Sequence, residues 1–306
     1  MPRIAVLGSS NTDMIIMLPS LPKPGETVIG GPFAMAGGGK GANQAVAAAR
    51  AGGTVTFISR VGNDSFGRQS LDYFSNEGIE ISHVGRDEEN ASGIALILID
   101  KSGENLIGVA SGANAAMSPE SIKDALEVVS ASDIFLTQLE IPLSVVERAI
   151  FRAHDAGVPV IMNPAPAQKL GPEILTKVNA LTPNESEAGS LAGMSISTVS
   201  DVETAAERLL ATGVQSVVIT LGGRGAYVAE SHIRELIPAF DVQAVDTTAA
   251  GDVFSGALAV ALSEKAHLRE AVIFASAAAA ISVTRLGAQP SAPRRSEIES
   301  FLREHQ

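Results

Sequence analysis

The stretch DTTAAGDVFSG at Asp246–Gly256 is the feature from which the rest of this 306-residue chain can be interpreted. An acidic residue ends an apolar, strand-like run, small residues form a tight bend, and an apolar helix is predicted to start near Val253. We expect a carboxylate beside unpaired backbone N–H groups, because the first turn of a helix has donors without intrahelical partners. Such a turn can hold a phosphate while the carboxylate takes a proton from a hydroxyl. An ordinary turn with a capping Asp fits the same pattern.

The composition of the chain excludes several classes of protein. Apolar residues make up 45% of it, Cys is absent, and 22 basic against 34 acidic residues leave a net charge of −12. Without Cys there are no disulfides or thiolate metal sites, and the negative charge argues against binding of nucleic acid or anionic lipid. No apolar run reaches the roughly 18 residues of a membrane span, and the N-terminus does not have the pattern of a leader peptide. We therefore expect a globular, cytoplasmic protein without a membrane or nucleic-acid partner.

Regular alternation of strands and helices indicates the fold class. The run Arg3–Leu7 (RIAVL) predicts a first, buried strand. The second half of the chain repeats the pattern, with strands predicted at Ile134–Gln138, Val158–Met162, Ala180–Thr182 and Ser216–Thr220, and helices at Ser144–Ala156, Asn184–Ala192, Val202–Thr212, Val253–Leu262 and Leu268–Thr284. This order predicts an α/β fold with a central, mainly parallel sheet flanked by helices on both faces.

A second, smaller sheet is predicted in the first half of the chain. Met14–Leu18 and Thr27–Ile29 flank a Pro-rich turn, and Ser92–Asp100 and Asn105–Ala110 flank a Gly-containing turn typical of a hairpin. We expect one α/β domain over residues 1–306, with a small β-sheet lid formed by about residues 12–36 and 91–111. Such a sheet exposes an apolar face and an edge, so it should pair with a second copy or close over a ligand.

A glycine run precedes an alanine-rich segment near the N-terminus. It reads AGGGKGAN at Ala36–Asn43 and leads into a helix predicted at Gln44–Ala51, so that Lys40 and Asn43 lie at the helix start. An acidic protein that binds a triphosphate must use backbone N–H groups, a few cations and Mg²⁺ rather than a broad positive field. Glycine-rich turns of this kind are therefore candidate ligand sites.

Three interpretations of the glycine run compete with a plain flexible turn. A Walker A loop is excluded, because Gly41 follows Lys40 where Ser or Thr is required. A dinucleotide site is disfavoured, because no parallel strand directly precedes the GxGxxA match formed by Gly37, Gly39 and Ala42. The third interpretation is close approach of the backbone to a small polar ligand, where a Cβ would collide.

Polar residues follow the ends of several predicted strands, which is where open α/β sheets bind their ligands. Asn184, with Glu185 and Glu187, also fits a helix N-cap with an acidic first turn, and each cluster taken singly fits a polar turn. The clusters are Asn11–Asp13, Gln138–Glu140 (QLE), Asn163–Pro166 (NPAP), Thr182–Glu187 (TPNESE) and Thr220–Gly225 (TLGGRG).

Four motifs occur together in this chain: GGGKGANQAVAAAR at Gly37–Arg50, NPAPA at Asn163–Ala167, TPNESE at Thr182–Glu187 and VDTTAAGD at Val245–Asp252. In combination they resemble the signatures of the PfkB family of carbohydrate kinases, and the resemblance runs from Leu7 to Pro293. It implies ATP-dependent phosphorylation of D-ribose at O5. Kinases for deoxyribose, fructose or adenosine, and a non-catalytic sugar-binding sensor on the same fold, are the alternatives.

The resemblance also implies roles for individual residues. Asp252 corresponds to the general base, and it also contacts the sugar. The N–H groups of Ala249, Ala250 and Gly251 face the charge that develops on the γ-phosphate. The sugar-binding positions are Asn11, Asp13, Gly39, Lys40, Asn43 and Glu140. The nucleotide-binding positions are Asn184, Thr220, Gly222, Gly225, Gly251 and Ser276. The chain departs from the family at Ser276, where a larger His or Asn lies beside the adenine.

Cations and assembly are implied by the same resemblance. Glu187 organises Mg²⁺ through water. A monovalent cation, usually K⁺, is surrounded mostly by carbonyl oxygens at Asp246, Thr248, Ser282, Arg285, Gly287 and Ser291. The expected partners are a small sugar and ATP, and a second copy of the chain bound through the β lid as a homodimer.

Overall fold

The strands of the chain form two separate sheets. The structure, a computed structural model, describes residues 1–305. In chain order the strands are β1 Arg3–Leu7, β2 Asn11–Met17, β3 Phe33–Gly38, β4 Thr54–Gly62, β5 Val84–Asp87, β6 Gly93–Ile99, β7 Asn105–Ala110, β8 Ile134–Thr137, β9 Val160–Met162, β10 Ala180–Leu181, β11 Ser216–Thr220, β12 Ala226–Glu230 and β13 Ile233–Ile237.

The large sheet has the order β13-β12-β11-β10-β9-β8-β1-β4-β5. Its strands run parallel except at one edge, where β12 is antiparallel to both β11 and β13. The first strand, β1, lies between β4 and β8 and is parallel to both, so the chain order reverses on either side of it. Ligands bind beyond the carboxyl ends of strands at such a switch point. The predicted mainly parallel sheet is confirmed.

Helices cover both faces of this sheet. They are α1 Lys40–Arg50, α2 Ser65–Asn76, α3 Leu126–Ala131, α4 Leu143–Asp155, α5 Pro172–Leu175, α6 Glu185–Ala192, α7 Val199–Leu210, α8 Ala250–Ser263, α9 Leu268–Val283 and α10 Arg295–Glu304. Successive side chains of a strand point to opposite faces. Accordingly, Ile4 and Val6 of β1 pack in the core with α1, α8 and α9, whereas Ala5 and Leu7 pack in the core with α4 and α7. The predicted two-layer arrangement of helices is confirmed.

The small sheet has the order β3-β2-β6-β7. Its hairpin β6–β7 lies where the sequence predicts one. The strand β2 pairs in antiparallel fashion with β3 and in parallel fashion with β6. The prediction of a strand at Thr27–Ile29 is wrong: this segment forms a loop. Gly25 precedes it and Gly30 and Gly31 follow it, all with positive φ, so the chain turns there instead of extending.

The glycine run and the opening stretch also differ from prediction at their boundaries. Helix α1 begins at Lys40 rather than Gln44, because Gly39, with φ +86°, turns the chain directly from β3 into the helix. A Cβ on Gly39 would lie 2.7 Å from the backbone nitrogen of Asn11, so glycine is required by neighbouring backbone as well as by conformation. Helix α8 begins at Ala250, three residues before the predicted start.

Arg50, at the end of α1, connects that helix to the loop that follows α9. Its guanidinium forms a largely buried ion pair with Glu77 at 2.6 Å. The same group donates to the carbonyl oxygens of Gln289, Pro290 and Ala292 at 2.9–3.1 Å. Because the guanidinium satisfies several acceptors at once, the loop after α9 is held against α1.

Within residues 1–305, every helix is too short or too polar to cross a bilayer.

Candidate active site

The carboxylate of Asp252 is buried at the start of α8. It accepts hydrogen bonds from Asn43 Nδ2 at 2.9 Å and from Gln44 Nε2 at 3.0 Å, both on α1. It does not bond to the backbone of its own helix, so the interpretation of this residue as a simple cap does not hold. Burial is the largest influence on this group and raises the pKa of Asp252, although Lys40 and the two amides favour the anion.

The turn before α8 presents unpaired donors. Ala249 lies in the left-handed region at φ 59°, ψ 12°, a conformation that costs energy for a residue with a Cβ. In the part of the chain that the structure describes, the N–H groups of Gly251 and Asp252 have no backbone or side-chain acceptor. Ala250 bonds only weakly to the carbonyl of Thr247, at 3.3 Å. The turn therefore has the donors and the helix-dipole direction that bind an anion. No strand leads into Asp246, since β13 ends at Ile237.

The residues predicted to bind sugar come together at the switch point beside β1 and β8. Asn11 and Asp13 belong to β2 of the small sheet, Gly39 joins β3 to α1, and Lys40, Asn43 and Glu140 lie beside them; we call these six residues the sugar-side cluster. Glu140 Oε2 accepts from Ser9 Oγ at 2.5 Å and from the backbone nitrogen of Lys40 at 3.0 Å. The buried Oδ1 atom of Asn43 has no hydrogen-bond partner among the described residues. A ligand hydroxyl would satisfy it.

Asn114, which the sequence did not single out, fixes the orientation of Asn11. Its amide bonds to both backbone groups of Ser10, so its own direction is determined by the main chain. Asn114 Nδ2 also donates to Asn11 Oδ1 at 2.8 Å. The Nδ2 donor of Asn11 is therefore left for a ligand. The available signal was an isolated Asn in the run of small residues at 110–116.

Four charged groups converge on this region. Burial first, then the neighbouring Glu140 and Asp252, raise the pKa of Asp13 to about 6. The negative charge of Asp252 is in turn the main cause that raises the pKa of Lys40, so Lys40 stays cationic. The site brings three carboxylates together with one ammonium, so it favours a neutral, hydroxyl-rich ligand that can separate the charges.

A cavity of about 890 Å³ borders the turn before α8 and the first turns of that helix, and none of the six residues of the sugar-side cluster lines it. That volume suits a nucleotide-sized ligand. Small residues of α9 and the aromatic ring of Phe240, which the sequence did not single out, form the apolar part of its wall. All six residues predicted to contact the nucleotide line this cavity, namely Asn184, Thr220, Gly222, Gly225, Gly251 and Ser276.

Asn184 and Glu187 form a reciprocal cap at the start of α6. Asn184 Oδ1 accepts from Glu187 N at 2.9 Å, and Glu187 Oε2 accepts from Asn184 N at 2.8 Å. The capping interpretation of this motif is therefore correct. Burial, partly opposed by the bond from Asn184, raises the pKa of Glu187. Glu187 does not line the cavity itself, but Lys40 and Asp252 both act on its charge, so it lies close to the sugar-side cluster.

Asp246 joins the anion-binding turn to the loop after α9. Its Oδ1 accepts from Thr248 N at 2.9 Å and its Oδ2 from Gly287 N at 2.8 Å. Burial opposes ionisation, but these bonds outweigh it and hold the pKa of Asp246 below its ordinary value. Of the other predicted cation-site residues, Ser282 and Ser291 turn their hydroxyls to backbone carbonyls, and Arg285 pairs with Glu297 at 2.5 Å.

Two polar strand ends, QLE and NPAP, do not present all of their polar groups to a cavity. Gln138 and Asn163 are buried and form hydrogen bonds with Gln44, behind the Asp252 carboxylate. Sequence reasoning missed Gln44, although an amide inside the alanine-rich run of α1 was a visible signal.

In residues 1–305 no group of three or more His, Cys, Asp or Glu side chains could hold a metal ion by itself.

Known proteins with the same architecture define the class of this one. Residues 1–295 match the family model described as pfkB family carbohydrate kinase. The ribokinase of Haemophilus influenzae is 46% identical over 299 residues, 98% of each chain. The deoxyribokinase of Salmonella typhimurium is 36% identical over 304 residues, again 98% of each chain. Arabidopsis thaliana ribokinase, solved in complex with ribose and ATP, superimposes with a TM-score of 0.93 at 32% identity over 98% of each chain. This chain therefore belongs to the PfkB family of carbohydrate kinases.

The raised pKa of Asp13 leads to a stability prediction. The folded value of about 6 lies above the ordinary value of 3.8, so the folded protein holds this carboxylate at a cost above pH 6. A two-unit elevation corresponds to at most about 3 kcal/mol. Asp13→Asn should raise the Tm of the ligand-free protein most at pH 8 and less at pH 4.5, because the penalty builds up between the unfolded pKa of 3.8 and the folded pKa of about 6.

Differential scanning fluorimetry at both pH values measures this difference. Asp124→Asn, at an exposed position, is the matched control and should change the Tm at neither pH. An Asp13→Asn variant whose Tm equals that of the wild type at pH 8 would contradict the cost of burying this carboxylate beside Glu140 and Asp252.

Proposed function

We propose that this chain transfers the γ-phosphoryl group of ATP to O5 of D-ribose, giving ribose 5-phosphate and ADP. The observation that carries this proposal is the position of Asp252, a buried carboxylate that adjoins the sugar-side cluster and stands beside the unpaired N–H groups of α8. Ribokinases among its relatives, and the related structure that holds ribose and ATP, support the same substrates. A requirement for ATP and the absence of Cys both suit a cytoplasmic enzyme.

In the proposed reaction Asp252 acts as general base. Its carboxylate takes the proton from the O5 hydroxyl as O5 bonds to the γ-phosphorus, and the bond from that phosphorus to the bridging β-phosphate oxygen breaks to release ADP. The N–H groups of the turn at Ala249, Ala250 and Gly251 face the equatorial oxygens of the transferred group. Lys40, which stays cationic, adds positive charge beside the same point. A sugar sensor without turnover would not need a buried carboxylate beside an anion-binding turn.

Ribose is favoured over 2-deoxyribose by Asn11. Because Asn114 holds the Oδ1 atom of Asn11, the Nδ2 group is directed to the ligand and can donate to a 2-hydroxyl. A substrate without that hydroxyl leaves a buried donor unsatisfied, which costs about 1–3 kcal/mol. Deoxyribose remains the second candidate, since a deoxyribokinase is among the relatives.

The proposal predicts that Asp252→Asn lowers kcat by about 10²–10⁴-fold, because the amide cannot accept the proton, while ribose binding persists. The measurement is ADP release in a coupled assay with ribose, deoxyribose, fructose and adenosine, together with calorimetric titration of ribose into the variant. Turnover close to that of the wild type would remove Asp252 as the base. A preference for another substrate would replace ribose.

We propose two cation sites as well. The Asp246 carboxylate bonds to the turn before α8 and to the loop after α9, and backbone carbonyl oxygens of two such loops can replace the water shell of K⁺. The residues that would hold this cation are Asp246, Thr248, Ser282, Arg285, Gly287 and Ser291, mostly through their backbone. Glu187 has a free carboxylate oxygen that would hold Mg²⁺ through water. When bound, Mg²⁺ neutralises charge on the phosphates of ATP.

Because Asp246 fixes the turn that carries Ala249–Gly251, replacing K⁺ by Na⁺ or Li⁺ at constant ionic strength should lower kcat. Removing Mg²⁺ with a chelator should abolish turnover. Asp246→Asn should weaken the response to K⁺ while the requirement for Mg²⁺ stays. Steady-state ADP release measures all three effects, and equal rates in K⁺, Na⁺ and Li⁺ would refute the monovalent site.

We also propose that the small sheet acts as a lid and as the contact between two copies of the chain. Register pairing puts Asn11 and Asp13 on the face toward the sugar, and the opposite face is apolar. Phe33, Leu96 and Leu106 on that face are each more than half exposed. Exposed apolar patches of this kind mark association surfaces, and covering the sheet would keep water from the phosphoryl group.

Leu96→Lys and Leu106→Lys should therefore convert a dimer to a monomer, because each buries a charge in an apolar contact. Light scattering coupled to size-exclusion chromatography measures the mass. Ile233→Lys, on an exposed position of edge strand β13, is the matched control and should leave the mass unchanged. A wild-type chain that elutes as a monomer at micromolar concentration would refute this contact.

A further inference from the structure

Behind Asp252 lies a chain of buried amide side chains that the proposed reaction does not use directly. It begins at the backbone carbonyl of Thr182, which accepts from Asn163 Nδ2 at 2.8 Å. Asn163 Oδ1 accepts from Gln44 Nε2 at 3.2 Å, and Gln44 Oε1 accepts from Gln138 Nε2 at 2.5 Å. Gln44 and Gln138 are fully buried, and Asn163 nearly so. The second proton of Gln44 Nε2 goes to Asp252.

The directions of these amides follow from one fixed point. A backbone carbonyl can only accept, so Asn163 must turn its Nδ2 group to Thr182 and its Oδ1 atom to Gln44. Gln44 must then turn its Nε2 group to Asn163, and therefore also to Asp252. Its Oε1 atom faces Gln138, whose Nε2 group supplies a proton. Reversing Gln44 would set two oxygens against each other at Asn163 and again at Asp252.

The consequence for the base is that Gln44 can only donate to it. Asn43 donates to the other carboxylate oxygen, so each oxygen of Asp252 is held by one amide. We propose that Gln44 is a positioning residue that fixes the Asp252 carboxylate for proton transfer, and that Gln138 and Asn163 set the direction of the Gln44 amide. This inference rests on the proposed role of Asp252 as the base.

The arrangement has a second effect on the same carboxylate. Donors to a carboxylate favour its ionised form, which burial disfavours. The charged groups that face Asp252 are Lys40 on α1, Glu140 after β8, Asp13 on β2 and Glu187 on α6. Only Lys40 among these favours the anion, so the amide donors from Asn43 and Gln44 help keep the base deprotonated. Losing the Gln44 donor should therefore move the acid limb of the rate profile to higher pH.

Gln138 offers the more selective way to test the chain of amides. Its Oε1 atom is buried without a hydrogen-bond partner among the described residues, so a residue of similar length with no polar end loses only the donor to Gln44. Gln138→Met removes no hydrogen bond to Asp252 or to the sugar-side cluster, because the Gln138 side chain bonds to Gln44. Gln44→Leu removes the donor to Asp252 itself. Thr137→Val is the matched control, because Thr137 is equally buried on β8 and its only hydroxyl contact is a long one, 3.4 Å to the carbonyl of Gln138.

The experiment measures kcat, the KM for ribose and the pH profile of kcat/KM at a temperature where cooperative thermal unfolding shows each variant to be folded. We expect kcat to fall about 10²-fold in Gln44→Leu and roughly tenfold in Gln138→Met, with little change in KM, because a misplaced base affects the chemical step. In both variants the acid limb should move to higher pH. Thr137→Val should keep kcat within about twofold and its pH profile unchanged.

A purely structural role for the amides would lower the Tm and leave kcat and the acid limb as in the wild type, and that result overturns the proposal. An equal loss of kcat in Thr137→Val also overturns it. NMR titration of ¹³C-labelled Asp side chains reports Asp252 without turnover. A Gln44→Leu variant in which Asp252 titrates as in the wild type refutes the positioning role. If the titration of Asp252 does shift in Gln44→Leu but the wild-type protein shows no kinase activity, only the proposed function is refuted.

Discussion

The structure depends on the burial of one carboxylate, that of Asp252, at the N-terminal end of a helix. A buried anion is costly unless it is hydrogen-bonded, and here α1 supplies both donors through Asn43 and Gln44. The close packing of α1 on α8 follows from this need: a Cβ on Gly256 would lie 2.7 Å from Ala47 and from the backbone oxygen of Gln44. The helices that carry Asn43, Gln44 and Asp252 are thus set against each other at nearly backbone contact, which holds the carboxylate in one position.

The strand order supplies the second constraint. Because β1 lies between β4 and β8, the segments that leave β1 and β8 diverge and open a crevice above the sheet. The segment after β1 continues into the small sheet, so Asn11 and Asp13 reach the crevice from a separate sheet. The side chains that we propose to contact the sugar thus come partly from the small sheet, whereas the turn before α8 leads directly into a helix of the core. Such a division is consistent with the lid that we propose for the small sheet.

Much of the fold followed from local pattern, and the failures have identifiable physical causes. The alternation of apolar strands and amphipathic helices predicted the parallel sheet, and TPNESE predicted the cap that Asn184 and Glu187 form. The predicted strand at Thr27–Ile29 failed because flanking glycines with positive φ turn the chain there. One interpretation of the glycine run before α1 is close approach of the backbone to a ligand. In the structure, however, Cβ atoms at Gly39 and Gly41 would collide with the protein's own backbone at residues 8–11. The glycine pattern indicates that other atoms approach the backbone closely, but it does not show whether those atoms belong to a ligand or to the protein.

The sequence by itself determined the class of fold and the tight turn before α8 with acidic residues beside it, since these depend on residues adjacent in the chain. The family resemblance, which rests on several motifs together, pointed to Asp252 within that turn. Only the tertiary structure decided which amides hold that carboxylate. Gln44, Gln138 and Asn163 are separated by many residues and meet because β8, β9 and α1 converge behind α8. Their amide directions depend on a single backbone carbonyl at Thr182, and such a dependence arises from contacts between distant segments, which no local pattern contains.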